Sequence, residues 1–195
     1  MNIDHLKQLR EQTGAGIVEC RQALEACKGN IDLALETLKR KGLDAAEKKG
    51  SRAATDGAIG TYIHTNGKMG VLIEVNCETD FVARTDAFKD LVKELALHVC
   101  AMNPPYVKRE DVPRDVLEKE LAHFTNEAKT QGKPDHLIEK IAQGKLDKRL
   151  GEWCLLDQPF VKDSSTTVLQ HIKSAIAKLR ENIVVRRFVR FELGK

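Results

Sequence analysis

Apolar residues recur at helical spacing in three short runs at the start of the chain, over residues 3–12, 17–27 and 31–41. The apolar stripe of the second run is Ile17, Val18, Leu24 and Cys27. Glycine-containing turns follow the first two runs, and Asn30 can cap the third by accepting free backbone N–H groups. The pattern predicts a bundle of three short helices over residues 1–43.

Two further apolar runs flank an Asn-Gly pair and predict a β-hairpin. The arms cover residues 58–64 and 69–77, and Asn66-Gly67 between them is a strong signal for a tight turn. In the second arm every other residue is apolar, from Val71 through Ile73 and Val75 to Cys77. Because alternate residues of a strand point to one face, we expect these side chains to be buried.

The remainder of the chain mixes helical and extended patterns. Helices are predicted over residues 86–102, 114–130, 135–150 and 168–179, and extended segments over 155–161 and 183–193. Residues 44–57 are small or charged with almost no large apolar side chain, so they are predicted to form a flexible, solvated linker. The predicted fold is therefore α+β: a helical bundle (1–43), a linker (44–57), and a core domain (58–195) in which helices pack on an antiparallel sheet.

Composition excludes several classes of protein. The 195 residues are 42% hydrophobic and 31% charged with a net charge of +3, which is globular and too weakly basic to indicate nucleic acid or membrane binding. No apolar run approaches the roughly 20 residues of a membrane span. The first residues lack the layout of a secretory signal, so we expect a cytoplasmic protein. The five cysteines and six histidines lack metal-ligand spacing, so we expect buried free thiols, no metal and no cofactor.

The most informative segment joins the second hairpin arm to the next helix. The apolar run ends at Cys77, and either Thr79 or Asp80 can cap the turn that follows. Such a junction would hold two adjacent side chains in a fixed position, the acidic Asp80 and the large aromatic Phe81. The alternative is a core phenylalanine that follows an N-cap aspartate, since large apolar residues are mostly buried.

This segment resembles the signature of the translation elongation factor Ts family, the guanine nucleotide exchange factors for elongation factor Tu. The turn Thr13-Gly14-Ala15-Gly16-Ile17 and the runs 157–161 and 181–188 are also similar to that family, so the resemblance covers essentially the whole chain. It implies that the N-terminal bundle is of the ubiquitin-associated type. It also implies that Asp80 and Phe81 intrude beside the magnesium site of the GTPase, with Thr79 to Val82 disturbing the ion's coordination.

The resemblance implies further partner contacts. Gly14, Ala15, Gly16 and Ile17 would touch the GTPase domain, although a purely structural turn is the competing interpretation. Long members of the family carry two core copies, and this chain has room for one, so it is similar to the short form. We therefore expect a homodimer formed through the core sheet.

Other functions are less well supported by the residues. Cys77, His64 and Asp80 are a conceivable catalytic group, but the expected burial of Cys77 argues against it, and no phosphate-binding glycine loop is present. We predict a non-enzyme. A basic C-terminal strand could bind RNA, yet Phe188 and Phe191 would face opposite sides, so direct nucleic-acid binding is not expected. An adaptor that tethers through the N-terminal bundle alone is a third alternative.

Overall fold

The computed structural model describes residues 3–195 and has the predicted α+β class. The order of helices and strands is α1 (Ile3–Thr13), α2 (Ile17–Ala26), α3 (Ile31–Lys49), β1 (Asp56–Ile63), β2 (Met69–Cys77), α4 (Asp80–Ala83), α5 (Asp86–Met102), α6 (Arg114–Thr130), α7 (Asp135–Trp153), β3 (Pro159–Phe160), β4 (Asp163–Thr167), α8 (Val168–Leu179) and β5 (Ile183–Glu192). The chain divides into two compact units. One holds the segments up to Cys100 and from Leu169 onward, and the other holds Ala101–Val168. Across residues 3–195, no helix has both the length and the apolar character needed to cross a bilayer.

The predicted three-helix bundle is present. Its core is Leu9, Cys20, Ala23, Leu24, Ala34 and Leu38. The Asn30 side chain caps α3 by accepting hydrogen bonds from the N–H groups of Asp32 and Leu33, both at 3.1 Å. The predicted stripe of α2 is wrong at its start, because Ile17 and Val18 are exposed while Cys20 and Ala23 face the core.

Helix α3 continues six residues past the predicted end of the bundle. Residues 44–49, predicted as linker, are helical, and β1 already begins at Asp56. Alanine, glutamate and lysine favour helix, and α8 supplies the packing, since Gly42 lies against Ala177 and Glu47 pairs with Lys173 at 3.9 Å. The irregular connection is therefore residues 50–55. The functional division at residues 43 and 57 stays a prediction.

Three antiparallel strands form the main sheet in the order β1-β2-β5. The predicted turn lies between β1 and β2, with Gly67 at φ +65°. The inner face of β2 is buried as predicted, at Val71, Ile73, Val75 and Cys77. Helix α5 packs on this face, where Gly60 of β1 leaves room for Val92; a Cβ at Gly60 would lie 2.2 Å from the Val92 Cγ1.

The unit Ala101–Val168 is built on a helical hairpin of α6 and α7. Its core is Val112, Phe124, Ala142, Leu146, Leu150 and Cys154. The predicted extended segment 155–161 begins instead with a 3-10 turn over Leu155–Asp157 and reaches strand geometry only at β3. The partner strand β4 was not predicted, because its polar sequence Asp163-Ser164-Ser165-Thr166-Thr167 has no alternating apolar residues.

Candidate functional site

The end of β2 passes directly into the one-turn helix α4, as the sequence predicts. Thr79 is the N-cap: it has an extended backbone, and its hydroxyl accepts a hydrogen bond from the N–H of Val82 at 3.4 Å. A second cap follows, because the Thr85 hydroxyl accepts from the N–H of Phe88 at 3.3 Å at the start of α5. The turn is thus fixed between β2 and α5, each of which buries one face in the core.

Phe81 projects from this turn into solvent. It is 77% exposed, as much as any large apolar residue among those described, whereas Val82 and Ala83 beside it are half-buried. The alternative interpretation of Phe81 as a core residue behind an N-cap aspartate is wrong on both counts. An exposed aromatic ring on a capped turn is the kind of side chain that serves as an anchor in a protein interface.

Asp80 adds a carboxylate next to this ring. Its side chain is 42% exposed, and one oxygen lies 2.7 Å from the Arg84 guanidinium one turn later. An i, i+4 pair of this kind contributes only about 0.3–0.5 kcal/mol, so it can open without much loss of stability. The carboxylate is therefore held in place but is accessible to another cation.

Sequence reasoning missed a residue that supports this turn from far along the chain. Glu181, in the connection between α8 and β5, accepts hydrogen bonds from both the N–H and the hydroxyl of Thr79, at 3.0 and 2.6 Å. The two residues are 102 positions apart. No periodicity or motif in one sequence reveals such a contact. The order of strands does, because β5 pairs with β2 and brings the two strand ends together.

The second predicted group, Gly14 to Ile17, lies at the other side of the same connection. Gly14 has φ +67°, and a Cβ there would lie 2.9 Å from the Cα of Lys178. The N–H of Gly16 donates to Glu19 at 2.8 Å, and Glu19 in turn lies 3.7 Å from Arg180. Gly14, Ala15 and Gly16 are half-buried, and only Ile17, at 58% exposure, offers an open surface.

The two predicted groups are therefore supported by neighbouring residues. Arg180 reaches the bundle turn and Glu181 reaches Thr79, so the short connection after α8 touches both. The two groups are nevertheless separate segments of the surface. One is the turn at the end of β2, and the other is the loop between α1 and α2.

The thiols and histidines do not form a reactive site. Cys77 is fully buried, its Sγ–H donates to the carbonyl of Thr79 at 3.2 Å, and burial with the nearby Glu181 charge raises its pKa. His64 instead contacts the Tyr62 hydroxyl at 3.3 Å. Within residues 3–195, no three histidine, cysteine or acidic side chains are grouped as metal ligands would be.

The basic C-terminal strand is largely neutralised by pairing. Arg187 lies 2.7 Å from Glu74, and Arg190 lies 2.7 Å from Glu192. Phe188 pairs in register with the inward residue Ile73, while Phe191 pairs with Gly70 and is exposed. The two phenylalanines face opposite sides, as predicted, so they do not form one stacking platform.

The sequence model of the family described as elongation factor TS matches residues 47–195. An elongation factor Ts from Anaeromyxobacter sp. is 52% identical over 195 residues, which are 100% of this chain and 89% of that relative. The chain belongs to the elongation factor Ts family.

Other members of the elongation factor Ts family agree over nearly the whole length. The proteins from Carboxydothermus hydrogenoformans and Thermosipho melanesiensis are 50% and 51% identical, each over 97% of this chain and over 88% and 97% of their own lengths. The resemblance inferred from the sequence motifs is confirmed. The match to the elongation factor Ts family model includes both the Thr79–Val82 turn and Glu181, while residues 3–46 are covered by the relatives.

Proposed function

We propose that this protein releases GDP from elongation factor Tu by inserting Asp80 and Phe81 beside the magnesium site of the GTPase. The observation that carries the proposal is the exposure of Phe81 on a turn that is capped at Thr79 and that follows a strand with a buried inner face. As a member of the elongation factor Ts family, the protein is the nucleotide exchange factor for elongation factor Tu, and it acts by binding and not as an enzyme.

To release the nucleotide, an exchange factor must make contacts with the GTPase that compete with nucleotide binding. A translational GTPase holds its nucleotide through backbone N–H groups at a helix N-terminus and through a magnesium ion shared with the phosphates. Linkage is reciprocal, so a factor that weakens nucleotide binding binds most tightly to the nucleotide-free GTPase. Burial of the Phe81 ring in the partner supplies free energy for that state. The adjacent Asp80 carboxylate places a negative charge where the phosphates and the ion are held.

The N-terminal bundle supplies the second contact in this proposal. Within the loop Gly14 to Ile17 the exposed residue is Ile17, while Gly14 and Gly16 shape the loop against the end of α8. A second contact raises the effective concentration of the first without any new interaction at the magnesium site. Of the predicted group Gly14 to Ile17, Ile17 is the residue that we propose touches the GTPase directly.

Release of fluorescently labelled GDP from elongation factor Tu tests the function. Wild-type protein should accelerate release, and the bundle alone, residues 1–49, should not. If the bundle alone retained the full affinity for elongation factor Tu, the protein would be an adaptor that tethers its partner and not an exchange factor. If release were unchanged by the whole protein, the function proposed here would be wrong.

We also infer that two copies pair through the outer face of the main sheet. That face is apolar and exposed on all three strands, at Ile59, Ile63, Leu72, Val184, Val189 and Phe191. In register, Thr61, Leu72 and Val189 form one row, and Ile63, Gly70 and Phe191 form the next. An apolar patch of this kind is rare on monomers.

The charge on this face favours a second copy of the chain as its occupant. The charged side chains Glu74 and Arg187 face each other across the strands and pair at 2.7 Å, so these two charges offset each other within one copy. A two-fold interface needs only one self-complementary surface. Sedimentation analysis should give a dimer for wild type and a monomer for Leu72→Lys, with Leu137→Lys on α7 as a control that stays dimeric. A monomeric wild type at micromolar concentration would contradict the inference.

The proposed site of action is the cytoplasm, where elongation factor Tu works. We expect no direct contact with nucleic acid, since Arg187 and Arg190 are paired with acidic side chains. A steep salt dependence of RNA binding through these arginines would contradict that view.

A further inference from the structure

Two residues at the end of β2 and two residues before β5 are joined by reciprocal side-chain hydrogen bonds. Glu181 accepts from the N–H and the hydroxyl of Thr79, and Glu78 accepts from the N–H of Asn182 at 2.7 Å. The backbone ladder between the strands ends at Cys77 and Ile183, so these bonds extend the pairing beyond the ladder. We call the four residues Glu78, Thr79, Glu181 and Asn182 the strand-end clasp.

The clasp determines how the Thr79 hydroxyl is used. Its proton is donated to Glu181 at 2.6 Å, so its lone pairs point elsewhere and one accepts the Val82 N–H. A hydrogen bond from a hydroxyl to an ionised carboxylate is roughly twice as strong as one between two neutral groups. Glu181 thereby fixes the rotamer of the residue that caps α4.

The other half of the clasp is anchored in the interior. Asn182 is only 2% exposed, and its side-chain amide donates to the carbonyls of Arg52 at 2.7 Å and Gly50 at 3.4 Å. The Arg52 guanidinium lies 3.6 Å from Glu78. The clasp is therefore held by the connection between α3 and β1 as well as by the sheet. The backbone that carries Glu181 is fixed in position as a result.

We propose that Glu181 is a positioning residue for nucleotide exchange, because it holds the Thr79–Val82 turn in the orientation that aims Phe81 at the GTPase. The proposal rests on the function proposed above, in which Phe81 is the inserted side chain. Glu181 itself need not touch elongation factor Tu. Its effect passes through Thr79 and the four-residue helix, which is too short to be stable without such support.

A double-mutant cycle separates positioning from general stability. Glu181→Ala should lower the GDP release rate at saturating factor by about tenfold, because two hydrogen bonds to a charged acceptor are lost. Glu181→Gln, which keeps one acceptor oxygen, should recover part of that rate. In a Phe81→Ala background, Glu181→Ala should have no further effect on release, because the side chain that it aims is absent.

Two measurements on the free protein accompany the kinetics. Hydrogen exchange should show the Val82 amide losing protection in Glu181→Ala, while amides of β2 such as Ile73 keep theirs. Glu94→Ala is the matched control, since it removes another partly buried interaction of the same unit, the 2.9 Å contact between Glu94 and His171. It should change the release rate less than twofold.

The outcomes distinguish this inference from the function on which it rests. If wild type accelerates release and Phe81→Ala impairs it, yet Glu181→Ala matches wild type, the positioning role is wrong and the function stands. If Glu181→Ala lowers release by the same factor with and without Phe81, its role is general stability and the inference is overturned. If wild type does not accelerate release, or if Phe81→Ala leaves the rate unchanged, the function or its site fails and the inference fails with it.

Discussion

Truncation of Phe81 to alanine tests the central contact. Because the ring is 77% exposed, its removal should leave the free energy of unfolding of the isolated protein within about 0.5 kcal/mol of wild type. In the complex with elongation factor Tu, the same truncation should cost more free energy, because it removes apolar area that the ring would bury against the partner. Full burial of a phenylalanine gives about 1.5–3 kcal/mol, and the exposed fraction scales this to about 1.2–2.3 kcal/mol.

That range corresponds to a loss of about 8- to 50-fold in the second-order rate constant for GDP release. The assay is stopped-flow release of fluorescent GDP from elongation factor Tu over a range of factor concentrations. Phe81→Leu should fall between wild type and Phe81→Ala, because leucine keeps part of the apolar area. Leu137→Ala removes an exposed leucine from α7 and serves as the control for exposed apolar side chains in general.

One combination of results would show that Phe81 does not act as proposed. If Phe81→Ala keeps the wild-type melting temperature and also exchanges GDP within twofold of wild type, the ring does not enter the partner. A large loss of stability in Phe81→Ala would refute a different step, the inference that the exposed ring contributes little to the free fold.

Two further predictions concern stability. Gly14→Ala should lower the free energy of unfolding in urea by about 1–3 kcal/mol, because φ is +67° and the new Cβ would lie 2.9 Å from the Lys178 backbone. Gly29→Ala is the control, since Gly29 has φ +82° with open space around it and its substitution should cost less. Equal losses for the two variants would contradict the proposed packing of Gly14 on Lys178. Burial raises the pKa of Cys154 from 9.0 to about 11, so the unfolded chain loses this proton first and stability should fall by about 2–3 kcal/mol between pH 9 and pH 11. Cys154→Ala should lack this part of the alkaline loss, and an identical pH profile would contradict it.

Strong apolar periodicity explains why most of the fold could be predicted. Helix α5 was predicted over residues 86–102 and lies at Asp86–Met102, because a continuous buried stripe leaves no alternative face. Helix α3 was predicted too short, because the reason for its extension lies elsewhere: α8 packs on Gly42. Strand β4 exists through pairing with β3 and not through its own pattern. Tertiary contacts decide such cases, and one sequence does not display them.

The candidate site could likewise be predicted only in part. The position of Asp80 and Phe81 could be predicted, since a buried strand followed by a cap is a local pattern and the motif resembles a known family. The exposure of Phe81 could not be predicted, because a phenylalanine at this point serves a core equally well. The support from Glu181 depends on the neighbour order β2-β5, which fixes contacts over 102 residues.

The energetics of the turn explain why that distant support matters. Nucleation of a helical turn has an equilibrium constant of about 10⁻³, so an isolated α4 would be unfavourable by about 4 kcal/mol. The Thr79 cap contributes about 1 kcal/mol, and the two hydrogen bonds to the Glu181 carboxylate contribute about 1.5 kcal/mol each, which together offset that cost. A turn that is ordered before binding loses little conformational entropy in the complex. The free energy of burying Phe81 is then available to compete with the nucleotide, so the strength of the exchange contact depends on the β5 side of the sheet as much as on the residues that touch the partner.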